Sequence, residues 1–235
     1  IGIINNKLTL LNYLKSNNLT VPWYKRILNK SELLTYVKNH QLEEKKFVIK
    51  LANSNGSRGI RIFDPDFNYF QSFLKNKPST LVTSFDEFLL HFPDTKVPDL
   101  FITEFLPGTE FTVDTIFKNG SVKLLLTRTR DEMRSGISTK GTFLINTKIS
   151  EQVAIIGEKL KLSGPIGFQF REDEFGTPKI LEINPRIQGT SVASRALRIN
   201  FPINVIKNAF DQDVCEPDWQ QEKLKFVRYY DEIFY

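Results

Sequence analysis

Two runs, Pro165–Arg171 and Pro178–Asn184, flank the polar segment Glu172-Asp173-Glu174-Phe175-Gly176, and this hairpin pattern constrains the chain more than any other feature. Side chains alternate faces along a strand. Gln169 therefore shares a face with Gly167 and Arg171, while Phe168 and Phe170 point the other way. On the second run Glu182 and Asn184 share one face, and Leu181 and Ile183 bury the other. A turn centred between Phe175 and Gly176 sets Gln169 opposite Glu182, with Asn184 one step along. Three oxygen-bearing side chains then converge on a face whose reverse is wholly apolar.

Hard divalent cations such as Mg²⁺ take oxygen ligands of this kind and leave the remaining positions to water and phosphate oxygens. The alternative is a solvated polar face on a half-buried antiparallel sheet. Asn184-Pro185-Arg186 adds a cation just beyond the carboxylate and the amide, where an arginine can hold transferring phosphate charge.

Composition excludes several classes. With 235 residues, 40% of them apolar and 20 of them Phe, the chain can bury a substantial core, as one large domain or two lobes, and disorder is not expected. No stretch approaches the roughly 18 consecutive apolar residues of a membrane span. The single cysteine, Cys215, rules out an internal disulfide framework and a cysteine-based zinc cluster, and two histidines, His40 and His91, rule out a poly-His metal site. The chain begins at Ile1 and shows no signal-peptide pattern, so a cytoplasmic setting is expected. The net charge of +5 is spread among acids without a basic run, which fits a solvated surface better than a nucleic-acid footprint.

Along the chain, Leu8, Leu11, Leu14 and Leu19 have helical spacing, and a second helix is expected from Asn29 or Ser31 through Val37. Phe47–Leu51 and Ile60–Phe63 read as strands. Asp64-Pro65 suggests the cap and first residue of a helix presenting Phe67, Phe70 and Leu74, and Ser84 with Glu87 forms a capping box. Strand 100–105 follows, and then a hairpin of 110–117 with 121–129 around Lys118-Asn119-Gly120. Ser150 is expected to cap a helix carrying Val153, Ile156 and Leu160. Helical segments are expected over 192–199 and 203–210, and a last strand over 224–229. The expected organisation is a leading helix over 1–20 joining the lobes, a smaller lobe over 21–106 and a larger one over 107–235. The fold class is α+β.

Two further segments carry chemistry-bearing residues. After the strand ending at Lys50 and Leu51, the loop Asn53–Gly59 supplies Asn55, Gly56, Ser57 and Gly59, whose backbone N–H groups can approach an anion closely. Lys50 can reach a phosphate as a point charge. An ordinary glycine-containing turn is the alternative. In Ile102–Glu110, the strand residues Glu104, Phe105 and Leu106 offer apolar walls and backbone groups to a purine, and Glu110 a carboxylate to ribose hydroxyls; two exposed glutamates around a turn would look the same. Asp114 shares a strand face with Glu110, and Arg128, Arg130 and Arg134 cluster near Gly136-Ile137-Ser138, where they suit an anionic substrate or a solvated turn.

The order lysine and glycine loop, then Glu-x-Leu with a second Glu, then Gln…Glu-x-Asn-Pro-Arg resembles the ATP-grasp superfamily, most of all the synthetase domains of the carbamoyl phosphate synthetase large subunit. The resemblance runs from Asn6-Lys7 to about Phe210 and implies an ATP-grasp fold, two α/β lobes with antiparallel sheets clasping ATP. It implies Lys7 and Lys50 as phosphate-reaching cations, 53–59 as a closing loop, Glu104–Leu106 as the adenine-reading segment and Glu110 as the ribose ligand. Gln169, Glu182 and Asn184 become the Mg²⁺ set, with Mn²⁺ as a substitute, and Arg186 the arginine beside the acyl phosphate. The α/β domain that precedes the grasp in relatives is absent ahead of Lys7, so the chain is expected to be a fragment. The implied activity is an ATP-dependent ligase that activates a carboxylate as an acyl phosphate for an amine, with small-molecule partners, neither nucleic acid nor membrane, and compatible with a homodimer. A nucleotide-binding module without catalysis and a basic nucleic-acid-binding protein are the competing readings.

Overall fold

The computed structural model describes residues 2–54, 58–76, 81–95, 97–134, 136–220, 222–229 and 231–235. The chain divides into two compact units, Asn6–Asn12 with Val21–Phe105, and Ile1–Asn5 with Tyr13–Thr20 and Leu106–Tyr235. Helix α1 (Lys7–Ser16) carries buried Leu8, Leu10, Leu11 and Leu14, the helical spacing of the sequence.

The smaller unit contains β1 (Tyr24–Ile27), α2 (Lys30–Asn39), β2 (Phe47–Leu51), β3 (Ile60–Phe63), α3 (Tyr69–Lys75), β4 (Val82–Thr83), α4 (Phe85–His91) and β5 (Leu100–Glu104). Its sheet runs β1-β5-β2-β3-β4, antiparallel except for the β3–β4 pair. Ile27, Leu33, Val37, Phe47, Ile49, Phe63 and Ile102 form its core. Phe63 stacks on Phe47 with ring centroids 4.7 Å apart and meets Phe85 and Phe88 edge-on at 5.6 and 5.0 Å. Such offset and edge-to-face pairs add to area burial. Asn29 caps α2, its side chain accepting from Glu32 N at 2.8 Å while Glu32 accepts from Leu28 N, and Ser84 accepts from Glu87 N at the start of α4.

The Asp64-Pro65 expectation fails. Asp64 Oδ1 accepts from Asp66 N at 3.1 Å, its carbonyl accepts from Phe67 N, and its carboxylate pairs with Lys46 at 2.6 Å. These bonds close a turn instead of starting a helix. Helix α3 begins only at Tyr69, capped by Asn68, and leaves Phe70, Phe73 and Leu74 exposed.

The larger unit contains β6 (Glu110–Lys118), β7 (Ser121–Thr129), β8 (Glu132–Arg134), β9 (Ile137–Leu144), α5 (Thr147–Leu160), β10 (Gly164–Glu172), β11 (Pro178–Asn184), a 3-10 helix (Ser191–Leu197), α6 (Phe201–Ala209) and β12 (Lys223–Val227). Its antiparallel sheet runs β11-β10-β6-β7-β9-β12, with β8 paired to β9. The β8–β9 pair was not apparent in the sequence. Helix α5 starts three residues ahead of Ser150 because Asn146 is the cap, accepting from Ile149 N at 3.1 Å. It buries Ile149, Val153, Ile156 and Gly157. A Cβ on Gly157 would lie 2.0 Å from the Phe117 ring, so the glycine permits close helix–sheet packing. Asn200 caps α6, with Pro202 in the first turn, which moves that helix start ahead of Ile203.

On one face of this sheet, Phe111, Val113, Phe117, Phe168 and Phe170 are buried. The other face is divided. At one end Ile116, Leu126 and Phe143 pack against Leu197, Ile199 and Phe201; at the other end the side chains are polar.

Candidate functional site

Cross-strand register builds the polar end as rows. Glu182 pairs with Gln169, Gln169 with Thr112, and Thr112 with Arg128, so one row crosses β11, β10, β6 and β7. Beside it, Asn184 pairs with Gly167 and Gly167 with Asp114. A third row pairs Arg171 with Glu110. Glu182 and Asn184 are half-buried, and Asn184 Nδ2 donates to Glu182 Oε1 at 2.8 Å. That bond fixes the carboxylate while one of its oxygens and the Asn184 carbonyl remain as oxygen donors.

The Gln169–Glu182 pairing agrees with the sequence, but by a different route. A β-bulge follows Gln169: Phe170 pairs with Ile180, so Leu181 is an extra residue on β11. The buried residues of β11 are consequently Pro178, Ile180 and Ile183, the last two three apart, and Leu181 is only half-buried. This corrects the expected Leu181–Ile183 face.

Charge is closely packed on the neighbouring strands. Arg128 Nη1 donates to Asp114 Oδ2, and both side chains are 1% exposed. Burial pushes the Asp114 carboxyl up, against the opposing pull of Arg128. Asp114 Oδ1 and Arg128 Nε have no partner among the described residues. Arg128 is thus a buried partner of Asp114 and is not displayed for an anionic substrate, and Asp114 does not line an open cleft. Arg130 Nε forms an ion pair with Glu110 Oε1 at 3.0 Å, and Arg171 Nη1 lies 3.8 Å from Glu110 Oε2. Burial lowers the Arg130 guanidinium below its ordinary value, partly offset by Glu110 and Glu182. Arg134 is exposed on β8, and Arg186 is exposed beyond β11, with Nη1 donating to Ile187 O at 3.2 Å.

Thr112 was missed, and Arg171 was placed on the face of Gln169 without being counted among the site residues, although their period-two placement with Glu110 and Gln169 is a readable signal. Gln188 was missed too. Its buried side chain crosses Gly167, where a Cβ would meet its amide at 2.3 Å, and Nε2 donates to Val113 O at 3.1 Å. A glycine inside a strand was the available hint of that close approach.

In the smaller unit, Lys7 N donates to Ala52 O at 3.0 Å and Lys7 Nζ to Ser54 O at 2.5 Å, so the start of α1 is tied to the segment leaving β2. Lys50 is half-buried on β2, paired with Ile60 and Phe101. Leu51 N donates to Gly59 O, and Gly59 has φ +64, in the left-handed region that glycine tolerates. Asn55, Gly56 and Ser57 lie outside the described residues. Glu104 Oε2 accepts from Trp23 N at 3.1 Å, and Lys46 Nζ stands 5.9 Å from the centre of the Phe105 ring. Leu106, buried, begins the long run of the other unit.

A family model described as "ATP-grasp in the biosynthetic pathway with Ter operon" matches residues 96–231, more than half of the chain. The chain belongs to this ATP-grasp family. Among solved structures, an N5-carboxyaminoimidazole synthetase from Staphylococcus aureus complexed with ADP superposes with a TM-score of 0.64 at 14% identity, covering 92% of this chain and 55% of that one. The biotin carboxylase domain of the Hydrogenobacter thermophilus 2-oxoglutarate carboxylase, a dimer with MgADP, ADP and bicarbonate, gives 0.63 at 16%, with 92% and 47% covered. An L-amino acid ligase from Bacillus licheniformis gives 0.57 at 18%, with 88% and 48% covered. At these identities the likeness establishes the ATP-grasp fold, and the chain spans about half the length of these structures. A search of curated proteins finds no match.

The candidate metal set of this ATP-grasp chain contains one carboxylate and two amides. Among the described residues no group of three or more His, Cys, Asp or Glu side chains could hold a metal ion. Three oxygen donors on adjoining register positions with one negative charge suit Mg²⁺ in company with phosphate oxygens, which supply the remaining charge. No helix among the described residues is long and apolar enough to cross a membrane.

Proposed function

We propose that this ATP-grasp chain carries the nucleotide and metal residues of an ATP-dependent ligase, one that activates a carboxylate as an acyl phosphate for attack by an amine or similar nucleophile. The observation that carries the reading is the row joining Glu182 to Gln169, with Asn184 bonded to Glu182. In the proposal Gln169, Glu182 and Asn184 hold Mg²⁺, or Mn²⁺ in its place, which when bound offsets charge on the nucleotide phosphates. Lys7, Lys50 and Arg186 neutralise charge on the transferred phosphoryl group, and the loop 53–59, with Asn55, Gly56, Ser57 and Gly59, covers it. Glu104, Phe105 and Leu106 take the adenine and Glu110 the ribose. Little covalent chemistry is asked of the protein: it orients the carboxylate and supplies fixed charge. A carbamoyl-phosphate-synthetase-like specificity, a homodimer and a cytoplasmic setting belong to the same proposal.

The test is a thermal shift with ATP, with and without Mg²⁺, on the wild type and Glu182→Ala. A ligand at a hundred times its Kd stabilises by about 2.7 kcal/mol. A Mg²⁺-dependent shift that disappears in Glu182→Ala, followed by ADP release from the full-length protein with some carboxylate and amine, is the expected result. An equal shift in both proteins removes the metal assignment, and tight ATP binding without ADP release on any substrate panel favours a non-catalytic module.

A further inference from the structure

Met133 is the only methionine in the sequence, it lies on the three-residue strand β8, and it is 49% exposed. Its sulfur is not idle. Arg130 Nε donates to Met133 Sδ at 3.0 Å and Arg130 Nη2 donates at 2.8 Å. The same nitrogen also lies 3.0 Å from Glu110 Oε1, as an ion pair. The rest of the guanidinium is committed, Nη1 to Thr112 Oγ1 at 3.3 Å and Nη2 also to Gly136 O at 3.0 Å. With its side chain only 8% exposed, Arg130 cannot swing out to serve both acceptors separately. One nitrogen of the guanidinium therefore stands between an oxidisable, solvent-reachable sulfur, which it bonds, and the carboxylate of Glu110, with which it is ion-paired.

We propose that Met133 is a modification site for peroxide-class oxidants, whose product alters the hold of Arg130 on Glu110. The thioether attacks the peroxide oxygen, the O–O bond breaks, and the sulfur loses two electrons to give the sulfoxide and water. A thioether is a weak acceptor, whereas the sulfoxide oxygen is polar and accepts strongly. In the oxidised chain Arg130 Nε is drawn toward Met133, and among the described residues Glu110 keeps only the Arg171 ion pair, at 3.8 Å. A carboxylate with one restraint fewer is less pre-organised for a ligand. The consequence for nucleotide rests on the assignment of Glu110 as a ribose ligand; the modification and the loosening of Glu110 do not.

The experiment treats full-length wild type and Met133→Leu with hydrogen peroxide, both in a Cys215→Ser background so that the exposed thiol does not contribute. Peptide mass spectrometry, the melting temperature and the MgATP Kd are measured before and after, and again after methionine sulfoxide reductase. In the wild type one oxygen is expected on Met133 of the folded protein, a lowered melting temperature, and a MgATP Kd raised roughly 3- to 10-fold, the scale of one net hydrogen bond. The reductase reverses all three, and Met133→Leu shows none. Failure of Met133 to oxidise in the folded protein under conditions that oxidise the unfolded chain overturns the proposal. So does a sulfoxide that leaves the melting temperature unchanged, or changes that appear equally in Met133→Leu. Absence of MgATP binding before treatment counts against the proposed function alone, since the mass and melting readouts still decide this one.

Discussion

In the sheet of β6 to β12 the chemistry-bearing side chains stand on strand faces, in rows fixed by register. In the sheet of β1 to β5 they stand at strand ends and in the segment after β2, while the strands' side chains fill an aromatic core. Glu110, Gln169, Glu182 and Asn184 belong to the first kind; Lys7, Gly59 and Glu104 belong to the second. A face-borne residue is placed by every hydrogen bond of its ladder, and an end-borne one by a few local bonds. The first arrangement gives rigid positions, the second positions held by fewer bonds.

The contrast can be broken most severely at the buried ion pair. Asp114→Asn leaves the Arg128 charge without its counterion and is expected to cost about 4 kcal/mol in urea denaturation, because an unpaired buried charge is heavily penalised. Replacing both, Asp114→Leu with Arg128→Met, is expected to recover most of that loss. A cost under about 1 kcal/mol for the single change would mean that the polar face is wetter than its burial indicates. In the other sheet Phe63→Ala removes the ring shared by three aromatic contacts and is expected to cost about 3 kcal/mol by the same measurement.

Acid sharpens the comparison further. Asp173 at the β10–β11 turn accepts from Thr177 N and Phe175 N, each at 2.9 Å, and pairs with Lys179 at 3.2 Å. The backbone donor Thr177, and then Lys179 and Phe175, hold its carboxyl below the ordinary carboxylate value. A depressed carboxyl stabilises the fold above its unfolded pKa of about 3.9, and that contribution disappears as pH falls through the lower folded value. Melting temperatures followed downward from about pH 5 should therefore fall less steeply in Asp173→Ala than in the wild type. The smallest effect is expected at Phe73, 72% exposed on α3. Phe73→Ser should change stability by less than about 0.5 kcal/mol, in contrast to the buried Phe63 of the same sheet's core.

Legibility in the sequence followed the same division. Strands β6, β7, β10 and β11 of the larger sheet, and the facing of Gln169 and Glu182, were readable because period two survives translation into any antiparallel ladder. The row is nevertheless reached by compensation: the turn half of the hairpin is centred on Phe175, and Leu181 shifts the count back by one before Glu182. Nothing in the residue types of Pro178–Asn184 announces a bulge. The cap at Ser84 was readable and Asn29 was one of two starts open for α2, whereas Asn146 went unread because Ser150 is of a type that can cap as well. Asp64-Pro65 looked like a helix start because the side-chain bonds that divert it to a turn are local and leave no periodic trace. The Asp114–Arg128 pair was hidden altogether, since an aspartate and an arginine fourteen residues apart read as surface until register brings them together.

The extra residue at Leu181 also sets how this protein can vary. A strand with one surplus residue keeps two counts at once, one for the turn and one for the row containing Glu182. The supernumerary link can be gained or lost without moving Glu182 away from Gln169, because the pairs on its two sides are anchored separately. Changes of length in the loop 173–177 can be taken up there as slack. The hairpin is thereby insulated: its outer end can change length while its inner end stays in step.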